Sequence, residues 1–150
     1  MASIGRPSPL TTYLRSTGDL TTRNDKTELA LNIVKPGEAH DTTSPRAMAG
    51  TQRIVLGSAL SPTSRAHLTK WMMASRDAAA QRLRAGLPAG WRIANKPGTW
   101  EGIAPNDIGV LFPPDHPPIV VAAYLGKPRG SVADQEAVLA EVARIITRSA

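Results

Sequence analysis

Residues 107–125, DIGVLFPPDHPPIVVAAYL, decide the fold of this chain. Two apolar runs, 107–112 and 119–125, flank six residues of which four are proline. Proline cannot donate to a β-ladder, so the six residues predict the turn between two antiparallel strands. A third strand is predicted at 91–96, where apolar and polar residues alternate. The second half of the chain therefore predicts a three-stranded antiparallel meander.

Serine caps predict the helices that pack on this sheet. Ser-Pro pairs favour helix starts, because serine accepts a bond from a helix N–H and proline at the next position loses no useful donor. Ser131 with Asp134 predicts a capping box for the last helix. The predicted helices span about 9–17, 45–57, 62–76 and 132–148. The third is expected to bury Leu68, Trp71 and Met72, and could run on into the alanine-rich stretch that follows. The fold class is α/β, of the α+β sandwich type, with the C-terminal helix covering one sheet face.

The loop at about 20–41, between the first two helices, is the first candidate for chemistry. Loops of this length are uncommon in compact domains and are usually functional or disordered. Glu28 and Asn32 are four residues apart in the sequence. They could be a general base and the partner that helps it to hold a water, or two solvated side chains with no such role. Lys26 and Asp41 could form an ion pair that clasps the loop ends, or a surface pair worth less than about 1 kcal/mol.

A second candidate is the turn Lys96-Pro97-Gly98-Thr99, which follows the first predicted strand. An ammonium beside a tight turn with an exposed N–H suits a carboxylate and a developing oxyanion. Lys-Pro-Gly is also a common sequence in turns that have no chemical role. Upstream, Arg82 or Arg84 could meet an anionic substrate, or one of them could cap a helix end.

Composition excludes several other classes of site. The chain has no cysteine, and its three histidines lack the i,i+4 spacing of a metal site, so neither a metal nor another cofactor is expected. The net charge is +6, but the basic residues are spread along the chain and aromatics make up only 4%, which predicts a basic surface and no nucleic-acid partner. No apolar run is long enough for a membrane span, and no leader-like segment opens the sequence, so we expect a cytoplasmic product as written, with no membrane partner.

Several stretches, taken together and in order, resemble class A β-lactamases. They are LTTYLRSTGD at 10–19, ELALN at 28–32, PGEAHDTTSPRAM at 36–48, RLRAGLPAGW at 82–91, KPGT at 96–99 and APNDI at 104–108. The resemblance covers nearly the whole chain from Pro9 onward, and the combination is highly specific. It implies a partial β-lactamase/transpeptidase-like fold over 1–150 and an activity, the hydrolysis of β-lactam antibiotics through a serine acyl-enzyme.

The resemblance also implies roles for the loop residues. Glu28 matches the omega-loop glutamate that activates the deacylating water, and Asn32 matches the asparagine that helps to position that water. Lys26 and Asp41 match the pair that ties the two ends of the loop together. Two departures lie in this loop: Lys26 replaces the usual Arg and gives up its bidentate fork, and Leu29 stands where many members have Pro.

Roles in substrate binding are implied for the strand residues. Lys96 and Gly98 match the Lys-Thr-Gly motif that lines the site, and the N–H of Thr99 falls where the family places one oxyanion donor. Arg82 matches an arginine that helps to bind the substrate carboxylate in some members. Pro97 stands where the family has Thr or Ser, which removes a hydroxyl that would bind substrate.

Two motifs of the family are absent from these 150 residues. No serine is followed three residues later by lysine, and there is no Ser-Asp-Asn. Without a nucleophile no acyl-enzyme forms, so we expect a C-terminal portion that is inactive alone. The alternatives are a non-catalytic remnant of a decayed reading frame, or one half of a split enzyme with a complementing N-terminal half. The complete relatives are secreted or periplasmic. Losing the front half would open an apolar sheet edge at 119–125, through which the chain is expected to self-associate.

Overall fold

The computed structural model of the chain describes residues 7–35, 37–57, 59–99, 105–126 and 129–150. Of the stretches that carry the resemblance, Pro36 and Ala104 lie outside these residues. The chain, expected from its sequence to be one partial domain, divides into two compact units, Met1–Ile54 and Val55–Ala150.

The first unit is built on two helices joined by the long loop. Helix α1 is Pro7–Ser16, and α2 is Pro45–Leu56, whose last two residues belong to the second unit. Helix α1 begins two residues before the predicted start, so the Ser-Pro pair lies within its first turn, where a missing N–H breaks no helical bond. Helix α2 begins directly after Ser44, the predicted cap. Ser44 Oγ accepts from the N–H of Ala47 at 3.2 Å, so the cap is formed.

The second unit opens with α3, Pro62–Met73, which starts at the predicted Ser61 cap. The prediction that this helix reaches residue 76 and continues into the alanines is wrong, because the alanines form a separate helix, α4, Ala78–Gln81. Asp77 between them has φ of 52°, in the left-handed region that an α-helix cannot contain. No residue of α3 is buried, and Trp71 is 69% exposed.

The sheet has the predicted antiparallel meander topology, in the order β1-β2-β3. Its strands are β1, Arg92–Gly98; β2, Asn106–Phe112; and β3, Ile119–Tyr124. Strand β1 runs two residues past the predicted end at 96 and includes Pro97, which an edge strand tolerates because one side of its backbone needs no ladder partner.

Helix α5, Val132–Ser149, closes the second unit and carries the predicted capping box of Ser131 and Asp134. The core between sheet and helix is formed by Leu83, Ile93, Leu111, Val121, Ala123, Leu139 and Ala143. A 3-10 turn, Leu83–Gly86, packs closely on α5: a Cβ on Gly86 would lie 1.9 Å from the carbonyl oxygen of Ala140. The predicted fold class is confirmed. Among the described residues, none of the helices combines the length and the apolar composition that a membrane span requires.

Candidate active site

The two ends of the long loop are tied together by carboxylates and backbone N–H groups. Asp41 Oδ1 accepts from the N–H of Asp25 at 2.7 Å, from that of Lys26 at 3.0 Å and from Asn24 Nδ2 at 3.2 Å. Asp25 Oδ2 in turn accepts from the N–H of Asp41 at 3.2 Å. Arg23 binds Asp25 through two hydrogen bonds, of 2.8 and 2.7 Å, and this donation is the main cause that lowers the pKa of Asp25 to about 2.

Lys26 and Asp41 are therefore joined through a main-chain N–H and not as the expected ion pair. The main-chain N–H of Lys26 binds Asp41, while its ammonium donates to the carbonyl oxygen of Ile33 at 3.1 Å. Lysine carries a single compact charge and lacks the fork that would serve a carboxylate and a carbonyl together. Asp41 Oδ2 is buried and has no hydrogen-bond partner among the described residues.

Glu28 and Asn32 are brought together as their spacing predicts. Asn32 Nδ2 donates to Glu28 Oε1 at 2.8 Å. The 3-10 turn Ala30–Asn32 lies between them, and the Glu28–Leu29 peptide bond is cis. The amide of Asn32 orients the Glu28 carboxylate, and the exposure of Glu28 leaves that carboxylate open to a water. A general base requires this arrangement.

In the second unit, the end of β1 presents Lys96, Gly98 and Thr99 at the surface. The ammonium of Lys96 donates to the carbonyl oxygen of Pro97 at 2.8 Å. In the ladder with β2, Lys96 pairs with Ile108, and Gly98, the last residue of β1, pairs with Asn106, the first residue of β2.

Arg82 closes this open end of the β1–β2 ladder. Its Nη1 donates to the carbonyl oxygens of both Gly98 and Asn106 at 2.8 Å, its Nη2 donates to Thr99 Oγ1, and its Nε lies 3.3 Å from Glu136 Oε1. The residue is only 1% exposed. We expected Arg82 to contact substrate directly, but its guanidinium is buried and is already engaged by four protein acceptors.

Arg84 caps the end of a helix. The sequence had left this role open for one of the two arginines, as the alternative to binding an anionic substrate. It donates to the carbonyl oxygen of Met73, the last residue of α3, at 3.1 Å, and to Asn95 Oδ1 at 2.8 Å. A carbonyl in the last turn of a helix has no intrahelical donor, so this contact satisfies it.

Sequence reasoning missed a buried polar pair beneath the site, Asn95 of β1 and Asp107 of β2. Both are 0% exposed, and Asn95 Nδ2 donates to Asp107 Oδ2 at 2.9 Å. Burial raises the pKa of Asp107 to about 6, against the opposing effects of its hydrogen bonds with Asn95 and Leu83 and of the nearby arginines. The available signal was that Asp107 opens an otherwise apolar run at 107–112, since a buried carboxylate needs a hydrogen-bond partner.

A separate cavity of about 330 Å³ lies in the first unit, between the end of α1 and the start of α2. It is lined mainly by small and hydroxyl side chains, and none of the predicted site residues borders it. The described part of the chain also holds no group of three or more acidic or histidine side chains that could bind a metal ion.

Known proteins match this chain along nearly its whole length. A family model described as the beta-lactamase enzyme family matches residues 2–150. Beta-lactamase CTX-M-6 of Salmonella typhimurium is 40% identical over 148 residues, which are 98% of this chain and 50% of that protein. A beta-lactamase of Streptomyces albus G is 39% identical over 150 residues, which are 99% of this chain and 48% of that protein.

The fold matches as well. A solved ancestral class A beta-lactamase superposes with a TM-score of 0.92 at 46% identity, over 99% of this chain and 57% of that one. The chain spans about half the length of the curated relatives it matches. The chain therefore belongs to the class A β-lactamase family.

Proposed function

We propose that this chain carries the deacylation part of a class A β-lactamase, which opens the β-lactam amide through an acyl-serine. In this proposal Glu28 takes a proton from a bound water as that water attacks the ester carbonyl, and Asn32 holds the carboxylate in place. The bond from the acyl carbon to the serine oxygen then breaks, and the serine oxygen leaves with a proton, which frees the ring-opened acid. The observation that carries the proposal is the 2.8 Å hydrogen bond between Asn32 Nδ2 and the exposed Glu28 carboxylate. The loop closure around Asp41 supports it, because a base must be held within hydrogen-bond reach of its water.

The end of β1 is proposed to bind the substrate. The ammonium of Lys96 attracts the carboxylate that β-lactams carry, and the N–H of Thr99 donates to the developing oxyanion. Arg82 is a positioning residue here, because it holds the carbonyl of Gly98 and the hydroxyl of Thr99. Pro97 contributes no hydroxyl, so binding at this edge depends on Lys96 and on main-chain groups.

The acylating serine must come from outside these 150 residues, which contain neither Ser-x-x-Lys nor Ser-Asp-Asn. We therefore expect the purified chain alone to leave a chromogenic cephalosporin unhydrolysed. A covalent penicilloyl adduct on the chain alone, seen by intact-mass spectrometry, would overturn this assignment of the nucleophile.

The general base is tested by joining the chain to the front half of the Streptomyces albus G enzyme, which this chain does not span. The fusion should hydrolyse the cephalosporin, and Glu28→Gln should slow turnover by about 10²–10⁴-fold while a covalent acyl-enzyme accumulates. Glu38→Gln is the matched control, since Glu38 is an exposed carboxylate of the same loop and has no proposed role.

Two outcomes would contradict the proposal. Turnover of the Glu28→Gln fusion at the parent rate would remove Glu28 as the base. A folded fusion that never hydrolyses the cephalosporin would favour the alternative, a non-catalytic remnant.

A further inference from the structure

The buried pair of Asn95 and Asp107 is held from every side. Asn95 Nδ2 donates to the carbonyl oxygen of Ala79 in α4 at 3.1 Å as well as to Asp107. Its Oδ1 accepts from Arg84, and its main-chain carbonyl accepts from Ser75 Oγ at 2.8 Å. Burying these polar groups is costly unless all are satisfied, and here Asn95 makes bonds to four separate segments.

The pair fixes the register of β1 against β2. Asn95 pairs with Gly109, and Asp107 pairs with Pro97, so the two polar side chains are diagonal neighbours on the buried face. A Cβ on Gly109 would lie 2.6 Å from the carbonyl oxygen of Ala94 and 3.0 Å from Asn95 Cβ, so a larger residue there would displace Asn95.

Register decides which face each side chain of β1 occupies. Successive residues of a strand point to opposite faces, and a slip of one residue exchanges the faces. In the observed register Asn95 is buried and Lys96, the next residue, is exposed. A slipped strand would bury the ammonium and expose the amide, so holding Asn95 also holds Lys96 outward.

We propose that Asn95 and Asp107 are positioning residues that set the Lys96–Thr99 edge, an inference that rests on the proposed role of this edge in substrate binding. Asp107 accepts from Asn95 and from the N–H of Leu83, which lies 3.2 Å from Oδ2, and so joins β1, β2 and the 3-10 turn. The state of its carboxyl group is thereby transmitted to the residue that precedes Lys96.

The charges around Asp107 come from one side. The guanidiniums of Arg82 and Arg84 act on it from the start of the 3-10 turn, and Arg82 is itself paired with Glu136 of α5. On β3 the residue opposite Asp107 is Ala123, which carries no charge. Burial outweighs both arginines and raises the pKa of Asp107 to about 6, so the pair changes its charge near neutral pH.

Two variants separate the charge of Asp107 from its hydrogen bonds. In Asp107→Asn, an amide oxygen at the place of Oδ2 would still accept from both Asn95 and Leu83, since both bonds converge on that atom. This variant removes the charge and the weaker bond from Asn95 Nδ2 to Oδ1, at 3.2 Å, and keeps the two bonds to Oδ2. Asp107→Ala removes the charge and the acceptors together.

The test follows the main-chain amide signals of Lys96, Gly98 and Thr99 by ¹H–¹⁵N NMR of the full chain between pH 4 and 8. In the parent chain these signals should shift with a midpoint near pH 6. In Asp107→Asn the shift should vanish, and the signals should stay near the parent's low-pH positions. In Asp107→Ala, the amide hydrogens of β1 should exchange with solvent at least tenfold faster than in the parent chain. The exchange rates in α5 should change less.

Histidine provides the necessary control, because it titrates in the same pH range. The chain has three histidines, His40, His67 and His116, and a variant with all three replaced by Gln should keep the shift of the Lys96 signal. Loss of the shift in that variant, or its persistence in Asp107→Asn, would overturn the proposal. If Asp107→Ala fails to fold, the titration of Asp107→Asn still decides. Since neither measurement uses turnover, a failed hydrolysis assay would remove the proposed function without affecting this result.

Discussion

Replacing Arg82 by methionine should lower the free energy of unfolding of the second unit by about 3–5 kcal/mol, the usual cost of breaking a buried ion pair by removing one partner. Methionine retains most of the aliphatic length, so little packing is lost. The loss comes from the carbonyl oxygens of Gly98 and Asn106, both 2.8 Å from Nη1, and from the Glu136 carboxylate, whose side chain is only 16% exposed. A hydrogen bond to a charged group contributes about 1.5–3 kcal/mol, so two such bonds already account for the total.

Two further variants test the source of this cost. Arg82→Lys keeps the charge, but one ammonium cannot serve both ladder carbonyls and Glu136, so we expect an intermediate loss of about 1.5–3 kcal/mol. Adding Glu136→Gln to Arg82→Met should recover about 1 kcal/mol or more, because no carboxylate is then left without its counter-charge. Urea unfolding followed by far-ultraviolet circular dichroism measures each free energy at a fixed protein concentration.

Arg92 supplies the matched control in the same unit. It is exposed, and its guanidinium lies 5.8 Å from the ring centroid of Phe112, so Arg92→Met should cost at most about 1 kcal/mol. Equal unfolding midpoints for Arg82→Met and Arg92→Met would refute the reasoning, because the buried contacts of Arg82 would then contribute no more than a surface contact.

Three more predictions follow from single contacts. Lys26→Arg should slow proteolysis of the long loop by a few-fold, because a guanidinium can reach the unpartnered Oδ2 of Asp41; an unchanged cleavage rate would contradict this. Burial raises the pKa of Asp107 from its ordinary 3.8 to about 6, so ionisation costs the folded state about 3 kcal/mol, with each pKa unit counting about 1.4 kcal/mol. The parent chain should therefore lose stability as the pH rises from about 4 to 6, whereas Asp107→Asn should not, and parallel urea midpoints against pH for the two proteins would disprove it. Gly86→Ala should lower the free energy of unfolding by about 1–3 kcal/mol, because its Cβ would collide with a backbone carbonyl of α5. Gly50→Ala in α2, where a Cβ would meet nothing within 4 Å, should raise it by about 0.5–1 kcal/mol, and thermal melts compare the two variants.

Local chemistry explains why the helices and strands could be predicted from the sequence. The capping box of Ser131 and Asp134 involves residues three apart, and the proline-rich turn between β2 and β3 is equally local. The end of α3 is different, because Asp77 has no sequence signal for a φ of 52°. The expected burial of Trp71 was wrong for a related reason. An apolar face at helical spacing shows which side chains share a side, but not whether another element packs against it.

The same distinction applies to the candidate site. The Glu28–Asn32 bond joins residues four apart, and their spacing predicts it. The partners of Arg82 lie between 16 and 54 residues away in the chain, and they depend on where β1, β2 and α5 meet. Resemblance to a family therefore offers candidate positions, whereas the partner that each side chain takes depends on acceptors that the fold brings near.

Two departures from the family pattern show how main-chain groups compensate for a changed side chain. At Lys26 the expected ion pair is missing, yet the loop is still closed, because the N–H groups of Asp25 and Lys26 bind Asp41. At Pro97 a hydroxyl is missing, yet β1 keeps its pairing through Gly98, because the proline lies in an edge strand. In both places main-chain hydrogen bonds or strand pairing are formed without the side-chain group that the family resemblance leads one to expect. Substitutions at these two positions should therefore alter loop closure and the proposed substrate binding more than the placement of Lys96, which we propose depends on the buried groups beneath β1.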